Sequence, residues 1–562
     1  MAALNPPTPD IPTNGVNGSH GNTHVDYDAI IIGAGFGGVR MIHECLKRGI
    51  SVKAFETAAG LGGTWYWNRY PGARTDSESW VYILTFLEEL DMEWTWKERF
   101  PTQAEVERYV NKAADHLGLR KHIEFNTRIT AAQRDEAKNV WKVTTSRAET
   151  FSCTYLITAT GPLATPVKPP FAGLDTFQGE WYQTALWPKH QVDFSGKRVA
   201  IVGTGATGVQ IIPIAAHSAK TLTVFQRTPN YVLPNRNHAV TEDQNAEIKR
   251  KRDEVMHRAR TSTFGMDIAD TTRRFADVKD EAAARKVFDY GWELGGFRFI
   301  FQTFADLLTN KECNDLAAEF VRDKIRTIVQ DQETAELLCP RHPVLSKRPP
   351  LGHHYYEVYN RDNVKLVDIK NHPIQEITPT GLRTDTTDYE FDMIIFAIGF
   401  DAITGTFAQI DFRGTGGQQL ADQLNQRLAT AYGITLEGFP NLFMIYGPQV
   451  PIANVPVVID STADWIGKTI THMRDNGYTR MDTSKELADT WRGKVNDFFN
   501  ATVLPQGAKD ARSWYVGANV KGKNIEPLFW FGGVASYFAE CDKAIKEGFP
   551  GFKFSSSVVE AN

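Results

Sequence analysis

Two glycine-rich turns, 170 residues apart and each wedged between a β-branched run and a helical run, constrain this chain more than any other feature. The first is Gly33-Ala34-Gly35-Phe36-Gly37-Gly38, which follows Tyr27-Asp28-Ala29-Ile30-Ile31-Ile32 and precedes the helically spaced residues 39–46. The second is Gly203-Thr204-Gly205-Ala206-Thr207-Gly208, which follows residues 196–202 and opens an apolar helix through Ile212. Strand, glycine turn and helix in that order form a dinucleotide-binding fingerprint. Gly33 and Gly203 permit the tight turn, and Gly35 and Gly205 let the backbone approach a pyrophosphate. Gly38 and Gly208 let helix and strand pack closely, so the phosphates meet a helix N-terminus. One such fingerprint is a weak signal; the same arrangement twice in one chain is specific.

The two turns differ at one matched offset. A strand over residues 51–55 ends at Glu56, 23 residues past Gly33. A carboxylate there accepts hydrogen bonds from ribose hydroxyls and repels a 2′-phosphate. The strand over residues 222–225 ends in Gln226-Arg227-Thr228, with Gln226 again 23 residues past Gly203. Arg227 can grip a 2′-phosphate with two parallel hydrogen bonds, so the second site is expected to take NADPH. Soon after Glu56, Gly60-Leu61-Gly62-Gly63-Thr64-Trp65 forms another glycine-rich turn. It resembles the loop that flavoproteins pack on the flavin side. On that resemblance the first site is expected to take FAD, with Thr64 and Trp65 among its binding residues.

A chain holding both groups passes a hydride from nicotinamide to flavin, and the reduced flavin then needs an acceptor. Cys45, Cys153, Cys313, Cys339 and Cys541 are scattered, with no Cys-x-x-Cys pair and no metal-ligand spacing. Disulfide reduction and an iron–sulfur partner are therefore set aside, and molecular oxygen is the remaining simple acceptor. The same cysteines read as structural thiols of a reducing compartment, so a cytoplasmic location is expected. Lys+Arg of 62 against Asp+Glu of 67 leaves a net charge of -5, which argues against nucleic-acid or anionic-membrane partners. No apolar run approaches the roughly 18 residues of a membrane span. Residues 1–25, rich in Pro, Asn, Gly, Thr and Ser, are expected to form a disordered tail, and residues 558–562 match no targeting address.

Between the fingerprints lies Phe177-Gln178-Gly179-Glu180-Trp181-Tyr182-Gln183-Thr184-Ala185-Leu186-Trp187-Pro188. It resembles the F-x-G-x-x-x-H-x-x-x-W-P signature of type I Baeyer–Villiger monooxygenases. Residues 62–76 resemble that family's flavin-side signature, and Lys347-Arg348-Pro349, Tyr355-Tyr356, Asn360-Arg361-Asp362-Asn363-Val364 and residues 513–519 match further segments in the right order. The resemblance runs from about Tyr27 to about Asp542. It implies that NADPH reduces FAD, that oxygen adds at the flavin C4a, and that the deprotonated peroxide attacks a ketone, giving an ester or lactone. It also implies that Arg348 stabilises the peroxide anion and the oxyanion, oriented by Asp76. Lys347 and Thr228 are implied to help Arg227 hold the 2′-phosphate. Trp514, on a mobile loop over residues 511–523, is implied to reach the nicotinamide-side ribose. Gln183 departs from the signature, which has His. A Gln keeps a donor and an acceptor of similar reach but cannot carry charge near neutral pH, so a hydrogen-bonding role is expected to survive and a titrating one to be lost.

The fold expected is α/β, with two Rossmann-like dinucleotide-binding domains and a helical insertion. Residues 26–161 and 394–562 are assigned to a discontinuous FAD domain, residues 166–240 and 330–391 to the NADP domain, and residues 241–329 to the insertion, which helps wall the substrate pocket. Aromatic residues near 431–456 and 531–538 are further candidates for that wall. No metal site is expected, and nothing specifies the oligomeric state. Two other readings of function stay open: a nitrogen- or sulfur-oxygenating monooxygenase, and a degenerate flavoprotein that wastes NADPH.

Overall fold

A computed structural model describes residues 25–556. The expected tail, apart from Val25, and the C-terminal residues 558–562 lie outside the described residues. Two open sheets organise the rest. In the first, Tyr27–Ile32 lies between Val52–Phe55 and Thr150–Thr158, parallel to both. Its Ala29, Ile30 and Ile31 are fully buried, as expected of a parallel strand covered on both faces. Ile123–Glu124 extends the sheet beyond Val52–Phe55. On the other side Thr150–Thr158 continues into an antiparallel meander with Val140–Thr145 and Ile129–Asp135, and Asp411–Arg413 closes that edge.

The second sheet is wholly parallel, in the order Val364–Asp368, Thr221–Gln226, Arg198–Val202, Met393–Phe396, Glu180–Gln183. This corrects the expectation that the chain re-enters the FAD domain at residue 394. Met393–Phe396 pairs with Arg198–Val202 and Glu180–Gln183, and the chain rejoins the first sheet only at Asp411–Arg413. An apolar run such as Ile394-Ile395-Phe396 suits the centre of either sheet, so its composition carries no address. The two connecting segments run side by side, bridged at Pro166 and Phe400, with the Val167 N–H donating to the Gly399 carbonyl at 3.0 Å.

Residues 241–329 are helical where they are regular: Glu242–Arg250, Arg252–Thr261, Glu281–Leu294, Arg298–Phe301 and Lys311–Ile328. Thr241 starts the first of these with a reciprocal cap, its hydroxyl accepting from the Gln244 N–H while the Gln244 side chain accepts from the Thr241 N–H. The insertion leans on the first domain through Arg252–Asp91 (2.8 Å), Arg298–Glu78 (2.6 Å) and the Trp80 indole N–H on Asp267 (3.0 Å). The long helix Val455–Asp475 packs along Phe36–Lys47, where buried Arg40 pairs with both Glu44 and Asp460 at 2.6 Å. That contact returns the C-terminal part of the chain to the first domain. Among the described residues no helix is long and apolar enough to cross a membrane.

Candidate active site

The glycine turns have the same geometry in both sheets. Gly33 leaves its strand at φ +105°, and a Cβ there would stand 2.6 Å from the Ala159 carbonyl oxygen. Gly203 does so at φ +113°, with a Cβ 2.3 Å from the Ala397 oxygen. At Gly38 and Gly208 a Cβ would collide with the carbonyl oxygens of Gly33 and Gly203, at 2.1 and 2.2 Å, so only glycine allows helix and strand to approach this closely. The middle glycines differ. Gly35 faces the Gly62-Gly63 turn, its Cβ position 3.3 Å from the Gly63 Cα, whereas a Cβ on Gly205 would enter open space. That space, at a helix N-terminus with inward N–H groups, fits a pyrophosphate.

A cavity of about 480 Å³ runs along the first turn, lined by Gly33, Gly35, Glu56, Thr64, Trp65 and, further along, Tyr446. Its size and its mixed polar and apolar wall suit a flavin dinucleotide. Gly38 lies behind this wall, in keeping with a packing role. Glu56 is buried at the end of Val52–Phe55 and accepts hydrogen bonds from the Ala34 and Ala58 N–H groups, both 2.8 Å. Burial raises its carboxyl above the usual carboxylate range, and those N–H groups oppose the shift. The Trp65 indole donates to the Tyr82 hydroxyl at 3.1 Å.

Beyond the second turn the end of Thr221–Gln226 carries an amide and a cation, Gln226 and Arg227, in place of a carboxylate. Gln226 is buried and points inward, its amide donating to the Leu337 carbonyl at 2.7 Å. No carboxylate stands at the offset that Glu56 occupies in the first site. Arg227 and Lys347 come together because residues 342–347 are held on residues 226–229, the His342 ring nitrogen lying 3.3 Å from the Pro229 carbonyl. Thr228 closes the same turn, its carbonyl facing the Thr204 hydroxyl at 3.5 Å. Among the described residues neither Arg227 nor Lys347 has an ion-pair partner. Burial, aided by the charge on Arg227, brings the Lys347 ammonium down to about 8. Desolvation, and then Arg512, lowers Arg227 in the same way. Arg512 is a third cation at this site that sequence spacing did not reveal, because it arrives from residues far along the chain.

Two results are expected here. Arg227→Ala should weaken NADPH binding by roughly 10- to 100-fold, the worth of one or two charge-assisted hydrogen bonds, and leave NADH binding nearly unchanged. Equal losses for both would remove Arg227 from phosphate recognition. A bound 2′-phosphate raises the Lys347 pKa, so binding takes up a proton wherever the free lysine is neutral. Affinity for 2′,5′-ADP should therefore fall between about pH 7 and about pH 9, while affinity for 5′-AMP should not. Calorimetric titration of the two ligands checks this, and Lys347→Arg should flatten the profile.

Arg348 is within electrostatic reach of Tyr82, which lines the cavity along the first turn, and of Tyr70, whose hydroxyl donates at 2.7 Å to Gln210 on the helix that follows the second turn. The Arg348 Nη2 donates to the Asp76 Oδ2 at 2.5 Å, with the Asp76 side chain 5% exposed and the Arg348 side chain 35% exposed. The carboxylate is sealed in while part of the guanidinium stays open. Burial disfavours the Arg348 charge, but the Asp76 carboxylate more than compensates and holds its pKa above the ordinary value. Burial likewise raises Asp76, against the pull of Arg348 and the Leu351 N–H. The Asn230 amide donates to the Arg348 carbonyl at 2.8 Å, and the Phe297 ring lies under the guanidinium, 5.9 Å from its centre. Phe297 comes from the helical insertion, which places that segment against the site.

Gln183 ends the edge strand of the second sheet, buried, and donates to the Val167 carbonyl at 2.8 Å while lining the cavity that runs along the first glycine turn. It therefore ties the interdomain connection by a hydrogen bond that needs no charge. Trp187 is buried against Tyr182 and Phe194. Trp514 stands in the turn Trp514–Val516 with its ring against Tyr515 and Phe529, and its indole N–H has no hydrogen-bond partner among the described residues. The surrounding segment is docked on the connection between domains: Asn519 donates to the Phe400 carbonyl at 2.8 Å, and Lys523 pairs with Asp401. Of the aromatic windows, Tyr446 lines the cavity, whereas Tyr432 packs on Trp491 and Tyr537 is fully buried. All five cysteines are buried, their thiols raised by desolvation.

The profile of the family "Flavin-binding monooxygenase-like" matches residues 27–261. A Baeyer–Villiger monooxygenase of Pseudooceanicola batsensis is 40% identical over 527 residues, 93% of this chain and 95% of that protein. The phenazine N-monooxygenase PhzNO1 of Lysobacter antibioticus is 38% identical, over 94% of this chain and 97% of its own. Among solved structures, OTEMO in complex with FAD and NADP superposes with a TM-score of 0.91 at 38% identity, covering 95% of this chain and all of that one. With likeness at this level over nearly its whole length, the chain belongs to the flavin-binding monooxygenase-like family and to the Baeyer–Villiger group within it.

Proposed function

We propose that this chain is an FAD- and NADPH-dependent monooxygenase that converts ketones to esters or lactones. The overall balance is ketone, O2, NADPH and a proton giving ester, NADP+ and water. The observation that carries the reading is Arg348: a permanent cation paired with the sealed Asp76, open on one side, within electrostatic reach of Tyr82 in the first-turn cavity and of Tyr70 against the helix of the second turn. When bound, NADPH supplies the hydride, and FAD carries the electrons to oxygen and delivers one oxygen atom to substrate.

The protein's own residues have distinct tasks. The N–H groups after Gly33 and Gly203 hold the two pyrophosphates, and Glu56 accepts hydrogen bonds from the flavin-side ribose. Thr64 and Trp65 wall the flavin side. Arg227, Thr228 and Lys347 hold the 2′-phosphate, and the free indole N–H of Trp514 reaches the nicotinamide-side ribose. Asp76 fixes the guanidinium plane of Arg348, whose remaining N–H groups face the charge that develops on the oxidant and on the ketone oxygen. A guanidinium cannot lose its proton near neutral pH, so it stabilises that anion without being consumed as an acid. The helical insertion and the segment 511–523 exclude water from this charge. Five buried, unpaired cysteines support a reducing compartment, and hence a cytoplasmic location.

Similarity to the phenazine N-monooxygenase, at nearly the same identity, favours a second reading in which an aromatic nitrogen takes the oxygen atom. One assay separates the two. NADPH consumption under air is followed with panels of ketones, thioethers and N-heteroaromatics, and without substrate, while products and peroxide are measured. Ester or lactone from at least one ketone is expected. N- or S-oxide with no ester over a broad ketone panel would replace the first reading with the second, and peroxide alone would indicate a wasteful NADPH oxidase.

A further inference from the structure

A second buried ion network stands next to the Arg348–Asp76 pair, and the reaction as described makes no use of it. Glu78, two residues after Asp76, is almost fully buried. Its Oε1 receives Arg298 Nη1 at 2.6 Å and Arg99 Nη2 at 3.1 Å. Arg298 directly follows Phe297, the residue whose ring lies under the Arg348 guanidinium. Arg99 also donates through Nη1 to the Leu294 carbonyl at 3.1 Å, on the other side of the same turn. Glu78 thus holds both flanks of the segment Leu294-Gly295-Gly296-Phe297-Arg298.

That segment needs holding. Gly295 and Gly296 both adopt left-handed φ, +67° and +63°, which leaves the turn little intrinsic preference for one shape. It is also wedged tightly: a Cβ on Gly296 would lie 3.0 Å from Arg99 Nη2, and one on Gly295 would lie 2.4 Å from the Arg236 Cγ. The contacts close a ring, from Asp76 to Arg348, across the guanidinium face to Phe297, on to Arg298, to Glu78, and back along two peptide bonds to Asp76.

We infer that Glu78 is a positioning residue for the ketone pocket, locking the Gly295-Gly296-Phe297 turn of the insertion against Arg348 and so limiting the size of ketone that reaches the guanidinium. The inference rests on the reading of Arg348 as the group that faces the ketone oxygen. Glu78 does not touch the reacting atoms; it acts through Phe297. Without its charge the two arginines repel each other, the turn loosens, and bulky ketones gain relative to small cyclic ones.

The test compares the holoenzyme with Glu78→Gln, Phe297→Ala and the double variant. Hydrogen exchange of the amides in residues 295–301 should be roughly tenfold or more faster in Glu78→Gln than in the parent. The ratio of kcat/KM for a bulky aryl ketone over a small cyclic ketone should rise by roughly tenfold. Phe297→Ala should raise the same ratio, and adding Glu78→Gln to it should change the ratio no further. A simple loss of stability would lower the thermal midpoint but would not make the second substitution silent in the Phe297→Ala background. Unchanged exchange over residues 295–301, or a Glu78→Gln effect that persists in full without Phe297, would overturn the inference. If Glu78→Gln does not fold, Arg298→Lys, which keeps the charge but loses the planar fork, is read in the same way. If the parent makes no ester from any ketone, the reading of the reaction fails, and the exchange measurement alone decides whether Glu78 holds the turn.

Discussion

Arg348→Ala is expected to lose ester formation by roughly 100- to 1,000-fold, the usual consequence of removing a charged donor aimed at a developing oxyanion. Flavin absorbance and NADPH affinity should stay close to those of the parent, because neither cradle uses this side chain. NADPH should still be consumed, with peroxide replacing ester. The substitution also leaves Asp76 buried without its partner, which for an ionised carboxylate is destabilising by about 3–5 kcal/mol. Burial already raises the Asp76 carboxyl, so without Arg348 it should take up a proton instead of staying charged. The double variant Asp76→Asn, Arg348→Ala removes that complication. It should recover stability without recovering ester. Ester yield is read by product analysis and stability by thermal melting; ester production at the parent rate in either folded variant would remove Arg348 from the chemistry.

A comparably large effect is expected at Gly205, and there it should separate binding from folding. A Cβ at this position meets nothing within 4 Å in the protein, so Gly205→Val should fold with its flavin in place. The added methyl groups would project into the space where a pyrophosphate approaches the helix N-terminus. Each charge-assisted hydrogen bond to a phosphate is worth about 1.5–3 kcal/mol, so displacing the pyrophosphate should weaken NADPH binding by roughly 100-fold or more. Flavin reduction by NADPH should stop, while reduction by dithionite should remain. Gly208→Ala is the contrasting case. Its Cβ would sit 2.2 Å from the Gly203 carbonyl oxygen, so the second domain itself should be destabilised. Circular dichroism and NADPH titration of both variants distinguish the outcomes, and unchanged NADPH binding in Gly205→Val would place the pyrophosphate elsewhere.

The cradles were legible because they are local. Each needs one strand, one turn and one helix in sequence order, and glycine is required wherever a Cβ would meet a carbonyl, as at Gly38 against Gly33. The contrast between Glu56 and Gln226-Arg227 is also local, since the end of the second strand lies beside the end of the first. Arg512 was not legible in the same way. Its nearness to Arg227 depends on the packing of residues near Gly507 on Pro343 and Ser346, a contact between segments with no common pattern. The placement of Met393–Phe396 failed for a related reason: a continuous apolar run marks a buried strand but not the sheet that receives it.

The sequence by itself determined two glycine turns of the dinucleotide-binding kind, the contrast of Glu56 with Gln226-Arg227 at their strand ends, and the presence of Arg348 among the charged residues of the chain. The first two follow from backbone geometry and side-chain chemistry within some thirty residues of each glycine turn. Only the tertiary structure decided that Arg348 meets Asp76 at 2.5 Å with one side open, that Gln183 holds the interdomain connection through Val167, and that the insertion brings Phe297 under the guanidinium and Arg298 onto Glu78. Those pairings join residues up to 272 positions apart, and what selects them is the burial of polar and charged groups in one shared interior, which no local pattern records.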